Sequence, residues 1–197
     1  MGIKEFIEII RGALTLSEKN WQKLKESTYS WKDIFFFYVF PLAVVNSFAK
    51  ILAVPDEPEF YVLSPNILFI LYLLSTISSL FIGSYLIKLL APRYLSQNNF
   101  DKIYMLVGIS YTPIFVSNLI ASLHSFLTIF SLIGIIYTIL LFFKGVSIML
   151  ETPDTRRTGF VILCFLILFG VTIFVSSFYT YLIFYFTGNL DQIISNT

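Results

Sequence analysis

The residues most able to do chemistry are six polar or helix-breaking ones that fall inside long apolar stretches. They are Asn46, Tyr111, Thr112, Pro113, Asn118 and Tyr137. A proline in a helix removes one N–H and frees the carbonyl four residues earlier, and neighbouring groups must then satisfy that carbonyl. The set predicts a polar site within a membrane. It is either a small cavity for a solute or a group of kinked helices closed by local hydrogen bonds. Tyr111 is expected to face the bundle interior and to hydrogen-bond with a group on another span, with Asn46 and Tyr137 as the best candidates.

A second set of candidate residues carries charge near the ends of the apolar stretches. It comprises Asp101, Lys144, Glu151, Asp154, Arg156 and Arg157. Ionisable groups are costly inside a membrane, so Lys144 is the sharpest signal of the six. Its long stem would either carry the ammonium to the interface or bring it to Asp101, Glu151 or Asp154. The set predicts a charged face on one side of the membrane.

The chain lacks the residue patterns of the common enzyme classes. It has one histidine and one cysteine, and no HExxH, GxSxG or phosphate-binding glycine loop. Because a single histidine makes no metal site, we expect no metal, no cofactor and no catalytic activity. The net charge of +1 argues against a strongly basic nucleic-acid binder.

Five apolar stretches must position these residues. Hydrophobic residues make up 57% of the 197, and only 13% are charged, whereas a soluble domain has about 25% charged residues. A membrane-crossing helix needs roughly 20 apolar residues. Suitable stretches lie at 34–54, 66–90, 103–122, 126–150 and 159–186. The sequence therefore predicts an all-α membrane protein with five transmembrane helices in a compact bundle.

Small residues spaced four apart predict where these helices touch. Such pairs let helix backbones approach closely in a membrane. The second stretch has Ser75, Ser79 and Gly83 at this spacing, and the fourth has Gly134 and Thr138. We expect these positions to lie at helix–helix contacts.

The distribution of lysine and arginine predicts the orientation. Twelve of the thirteen lie in the N-terminal segment or in and beside the linkers after the second and fourth stretches. Lys50 is the exception, and it lies near Asp56 and Glu57. Loops rich in Lys and Arg remain in the cytoplasm. The N-terminus is therefore expected in the cytoplasm and the C-terminus outside.

Three regions follow from this layout. Residues 1–33 form an N-terminal segment, 34–187 the membrane domain and 188–197 a short external tail. Within the first region, apolar residues recur at helical spacing between charged ones, and Trp21 and Leu24 share one face of a second short helix. The segment is expected either to lie in the interface as an amphipathic helix or to pack beneath the bundle.

Several short segments of the chain resemble the Yip1 domain family. They are 99–104 (NFDKIY), 108–113 (GISYTP), 134–137 (GIIY), 144–145 (KG) and the polar turn 151–157 (ETPDTRR). The tryptophan before the first span, Trp21, and the proline within it, Pro41, are similar to features of the prokaryotic members. The resemblance covers roughly residues 9–187 and implies the five-span fold with a cytoplasmic N-terminus.

The resemblance implies less about function than about fold. Eukaryotic members are tied to Rab GTPases and to vesicle traffic, but this chain lacks their long N-terminal region. It resembles a prokaryotic branch, which implies a place in the cytoplasmic (inner) membrane.

Three functions are compatible with the residues. The first is a non-enzymatic organiser or adaptor that binds another membrane protein or a lipid, and the lack of catalytic residue patterns favours it. The second is a small transporter or channel for an ion or small solute, with a polar cavity near Asn46, Tyr111 and Thr112. The third, an enzyme acting on lipid, has no residues to support it. The expected partners are the bilayer, a membrane protein or lipid, and further copies of the chain, but no nucleic acid.

Overall fold

The computed structural model describes residues 2–52 and 64–187, and all its regular elements are helices. Five helical segments are long and apolar enough to cross a membrane. They are span 1 (Trp31–Leu52), span 2 (Pro65–Tyr94), span 3 (Phe100–Ala121), span 4 (Ser125–Met149) and span 5 (Asp154–Phe186). The predicted all-α, five-span fold is confirmed. The predicted tail at 188–197, the end of the first stretch at 53–54, and Asp56 and Glu57 lie outside the described residues.

Span 1 begins three residues earlier than predicted, because Ser30 and Asp33 form a capping box. The Asp33 N–H donates to the Ser30 hydroxyl oxygen at 3.3 Å, and the Ser30 N–H donates to the Asp33 carboxylate at 2.9 Å. Directly before Pro41 the helix widens to a π-helical turn over Phe35–Val39. Since proline lacks an N–H, a local change from α to π geometry is one way to rearrange the disrupted hydrogen bonds.

Span 3 is the central helix of the bundle. In its most apolar window 67% of residues are buried, against 22% in span 4, and every residue of 103–110 is buried. Spans 1, 2 and 4 pack against it, while span 5 packs against spans 2 and 4. Spans 1 and 4 therefore lie on either side of span 3.

Two N-terminal helices pack on the bundle, which favours the second of the two expected arrangements. Helix α1 (Ile3–Leu14) contacts span 3, and helix α2 (Glu18–Glu26) contacts span 4. The side chains of Trp21 and Leu24 are buried against the spans. Ser17 caps α2 by accepting a hydrogen bond from the Asn20 N–H. The apolar face of this hairpin therefore joins the protein core.

Small residues permit the closest helix contacts, as the spacing predicts. A Cβ added to Gly83 in span 2 would come within 2.5 Å of the Leu168 side chain in span 5. A Cβ on Gly134 in span 4 would overlap the Ser117 hydroxyl of span 3. Ser75 and Ser79 are buried in the same helix as Gly83. These contacts fix the separation of spans 2 and 5 and of spans 3 and 4.

One end of the bundle, here called the basic end, contains Trp31 and two linkers. They are the 91–99 linker, whose first four residues form the last turn of span 2, and the 150–153 linker. The Gln97 N–H donates to the Leu150 carbonyl at 2.9 Å. The hydroxyls of Ser96 and Thr152 are 2.8 Å apart. The linker that carries Arg93 and the linker that precedes Arg156 and Arg157 are thus held together on one side.

Candidate intramembrane polar site and basic end

Pro113 leaves one carbonyl of span 3 without its usual hydrogen-bond donor, and the residue before the proline replaces that donor. Proline cannot donate to the carbonyl of Ile109, four residues earlier. The Thr112 hydroxyl donates to that carbonyl instead, at 2.7 Å. Thr112 in turn lies 2.7 Å from the hydroxyl of Tyr38 in span 1. Because the Thr112 hydrogen is already used, Tyr38 is the donor of this second bond.

Two asparagines join three spans in the half of the bundle away from the basic end. The Asn118 amide nitrogen in span 3 donates to the Asn46 amide oxygen in span 1 at 2.9 Å. The Ser131 hydroxyl in span 4 donates to the Asn118 oxygen at 3.3 Å. Asn46 is buried, so its amide needs this protein partner. The pair ties span 1 to span 4 through span 3.

The predicted partners of Tyr111 are wrong. Asn46 and Tyr137 were expected, but the Tyr111 side chain interacts with that of Thr172 in span 5. The Tyr137 hydroxyl donates to the backbone carbonyl of Leu14, at the end of α1, at 2.6 Å. Tyr111 does contact another span, although helix rotation places a different hydroxyl beside it.

The six predicted residues therefore do not converge on one site. Asn46 and Asn118 form one network, and Thr112 and Pro113 form a second with Tyr38. Tyr111 and Tyr137 each face a different neighbour. Sequence reasoning missed Tyr38 because it stands in the run FFFYVF, where an apolar role is the ordinary expectation.

Replacing Thr112 with valine is expected to cost about 1–3 kcal/mol, because the Ile109 carbonyl then lacks a donor in a dry environment. In a Pro113→Ala background the new amide N–H can serve that carbonyl, so the same replacement should cost clearly less. Denaturation of the four proteins in detergent gives this coupling as a double-mutant cycle. The lost bond to Tyr38 is common to both backgrounds and cancels. Equal costs in the two backgrounds would show that Thr112 does not compensate for the proline.

At the basic end, helix α2 is tied to spans 3 and 4 by charge. Lys144 forms an ion pair with Glu18 of α2 at 3.5 Å, so none of its three predicted partners is correct. Asp101 accepts a hydrogen bond from the Trp31 N–H at 2.7 Å. The Lys102 ammonium donates to three carbonyls at the C-terminal end of α2, those of Leu24, Lys25 and Ser27. A cation there also interacts favourably with the helix dipole.

The remaining predicted charges lie in and around the 150–153 linker. Glu151 pairs with Lys25 of α2 at 2.6 Å. This hydrogen bond, followed by one with Gln97, lowers the pKa of the Glu151 carboxyl below its ordinary value of 4.5. A lowered folded-state pKa means that the pairing contributes stability above the ordinary value and loses it as pH falls through the folded value.

The first turn of span 5 holds the last three predicted charges. Asp154 pairs with Arg157, and the Arg156 guanidinium donates to the backbone carbonyl of Arg93 at 3.1 Å. The Arg156 bond joins the start of span 5 to the 91–99 linker. It leaves the Arg93 side chain exposed and without an ion pair among the described residues.

The geometry supports binding and packing more readily than chemistry. Within residues 2–52 and 64–187, no group of three or more His, Cys, Asp or Glu side chains is placed to hold a metal ion. The sole cysteine, Cys164, is buried and unpaired. Asn46, Thr112 and Asn118 link helices, and the charged groups tie helix α2 to the basic end.

Comparison with known proteins places this arrangement in a family. The model of the Yip1 domain matches residues 11–186, nearly the whole chain. No curated protein and no solved structure matches the chain. The match includes α2, all five spans and both pinned linkers. The chain belongs to the Yip1 domain family.

Proposed function

We propose that this protein is a non-enzymatic organiser or adaptor of the membrane, which binds another membrane protein or a lipid at its basic end. The observation that carries the proposal is the pinned surface made by α2 and the 91–99 and 150–153 linkers. Hydrogen bonds and an ion pair between these segments hold exposed Arg93 and Arg156 on a rigid base. A preformed surface loses little conformational entropy on binding, which favours a docking role.

The interior of the bundle supports this role over transport. Residues 103–110 of the central span are all buried, and Asn46, Thr112 and Asn118 use their polar groups on other protein groups. A solute path needs polar groups that face a water-filled space. Here Asn46, Thr112 and Asn118 instead link helices to one another.

The orientation proposed for this function places the basic end in the cytoplasm. The asymmetry of twelve cations to one supports it. Single cysteines at Gln97 and at Pro58, in a Cys164→Ala background, test it with a membrane-impermeant thiol reagent on intact cells. We expect labelling at position 58 and none at 97 until the membrane is opened. Labelling at 97 alone would reverse the orientation.

Photo-cross-linking tests the docking role. A photoreactive residue at Gln97, on the exposed basic end, is expected to give a discrete adduct with one protein or lipid in native membranes. The same residue at Phe174, which is 72% exposed on the side of span 5, is the matched control and should give diffuse lipid adducts. Identical adduct patterns from the two positions would contradict docking at the basic end. Solute uptake into proteoliposomes that Asn46→Leu abolishes would support transport instead.

A further inference from the structure

Helix α1 crosses the surface of span 3 and contacts span 1 on one side and span 4 on the other. Near its start, the Phe6 ring meets the Tyr38 ring of span 1 edge-on, with centroids 5.5 Å apart. At its end, the Leu14 carbonyl accepts the hydrogen bond from Tyr137 of span 4. Ile9 is buried between these two attachments. From residue 6 to residue 14 an α-helix rises about 12 Å, roughly the diameter of the single helix it crosses.

Helix α1 contacts the spans well away from their ends. Tyr137 is twelve residues from the end of span 4 at Met149, or about 18 Å at 1.5 Å per residue. Tyr38 is seven residues from the start of span 1 at Trp31, or about 10 Å. Since the hydrocarbon layer is about 30 Å thick, α1 extends from the half nearer the basic end, at Tyr38, to the midpoint of span 4, at Tyr137.

The outer face of α1 does not suit lipid at that depth. It presents Lys4, Ile7, Glu8, Arg11 and Leu14, all exposed. Glu8 pairs with Lys23 of α2 at 2.9 Å, while Lys4 and Arg11 form no ion pair with another described residue. Charged side chains within a bilayer are costly unless opposite charges or water meet them. The two apolar members, Ile7 at 57% and Leu14 at 40% exposure, are also only partly covered.

We propose that this outer face of α1 is the interface of a homodimer, and that its occupant is the same face of a second copy. Twofold symmetry makes such an interface self-complementary. With the two α1 helices antiparallel, Glu8 of each copy lies beside the partner's Arg11, so that these two charges meet their opposites. The exposed apolar side chains then pack between the two bundles, away from lipid and water.

Cysteine cross-linking of the full chain in native-lipid nanodiscs tests the position of the interface. In a Cys164→Ala background, Ile7→Cys is expected to give a dimer joined by a short bifunctional thiol linker, because the paired helices place the two cysteines too far apart for a direct disulfide. Phe174→Cys, on the exposed side of span 5, is the control and should remain monomeric. Equal cross-linking at both positions, or none at Ile7, would overturn the proposal.

Charge exchange tests the pairing itself. Arg11→Glu and Glu8→Arg should each weaken self-association by about tenfold or more, because like charges then meet across the twofold axis. Mixing the two variants should restore a heterodimer, since one copy is acidic and the other basic at both positions. Glu8→Arg also breaks the pair with Lys23 of α2, so Lys23→Gln, which removes only that pair, is the matched control and should associate as the wild type does. Wild-type association of each single variant, or failure of the mixture to recover, would show that this face is solvated and not paired.

Discussion

Replacing Gly134 with leucine is expected to lower the melting temperature in detergent by roughly 5–10 °C. A Cβ at this position would overlap the Ser117 hydroxyl and come within 3.0 Å of the Pro113 carbonyl oxygen. The serine hydroxyl can rotate, but the carbonyl belongs to the backbone beside the break in span 3. Spans 3 and 4 must therefore separate, and the Ser131–Asn118 bond between them weakens.

Two other glycines provide graded controls for this prediction. A Cβ on Gly170, in span 5, would have nothing within 4 Å, so Gly170→Leu should leave the melting temperature nearly unchanged. Gly83→Leu should fall between the two, because its obstacle is the end of the flexible Leu168 side chain. Equal melting temperatures for the Gly134 and Gly170 variants would show that the span 3–span 4 contact is not tight.

The spans and the small-residue contacts follow from local properties of the sequence. Apolar length alone gives five crossings, and the spacing of Ser75, Ser79 and Gly83 marks a face without knowledge of the partner helix. Span boundaries differ where capping overrides hydropathy, as at Ser30 and Asp33. Such features can be predicted because each depends on residues close together in the chain.

The partners of the polar residues depend on how the helices are rotated, which composition does not encode. Tyr111 has several hydroxyls and amides within reach of a mid-membrane position, and only the packing of span 5 brings Thr172 beside it. The amphipathic pattern of α1 fits both a lipid interface and a protein groove, so periodicity alone leaves that choice open. The pairing of Lys144 with Glu18 follows only once α2 is placed against span 4.

Truncating Trp21 to alanine is expected to have the largest effect of any change in the N-terminal hairpin. Its side chain is 1% exposed and lies against Gly145, where an added Cβ would come within 2.9 Å of the indole. Removing a buried tryptophan costs about 3–5 kcal/mol. Because the hairpin is peripheral and joined by one connection, this cost should appear first as its local release from span 4.

Limited trypsin digestion measures that release, since Lys19, Lys23 and Lys25 lie within α2. Trp21→Ala should be cut there much faster than the wild type, whereas Gln22→Ala, at the exposed neighbouring position, should not. Lys102→Met removes the ammonium that holds the other end of α2 and should give a smaller release. Combining it with Trp21→Ala should add little, because a hairpin already detached has no bonds to Lys102 left to lose. Unchanged digestion of Trp21→Ala would mean that the hairpin is held by its charges and not by its tryptophan.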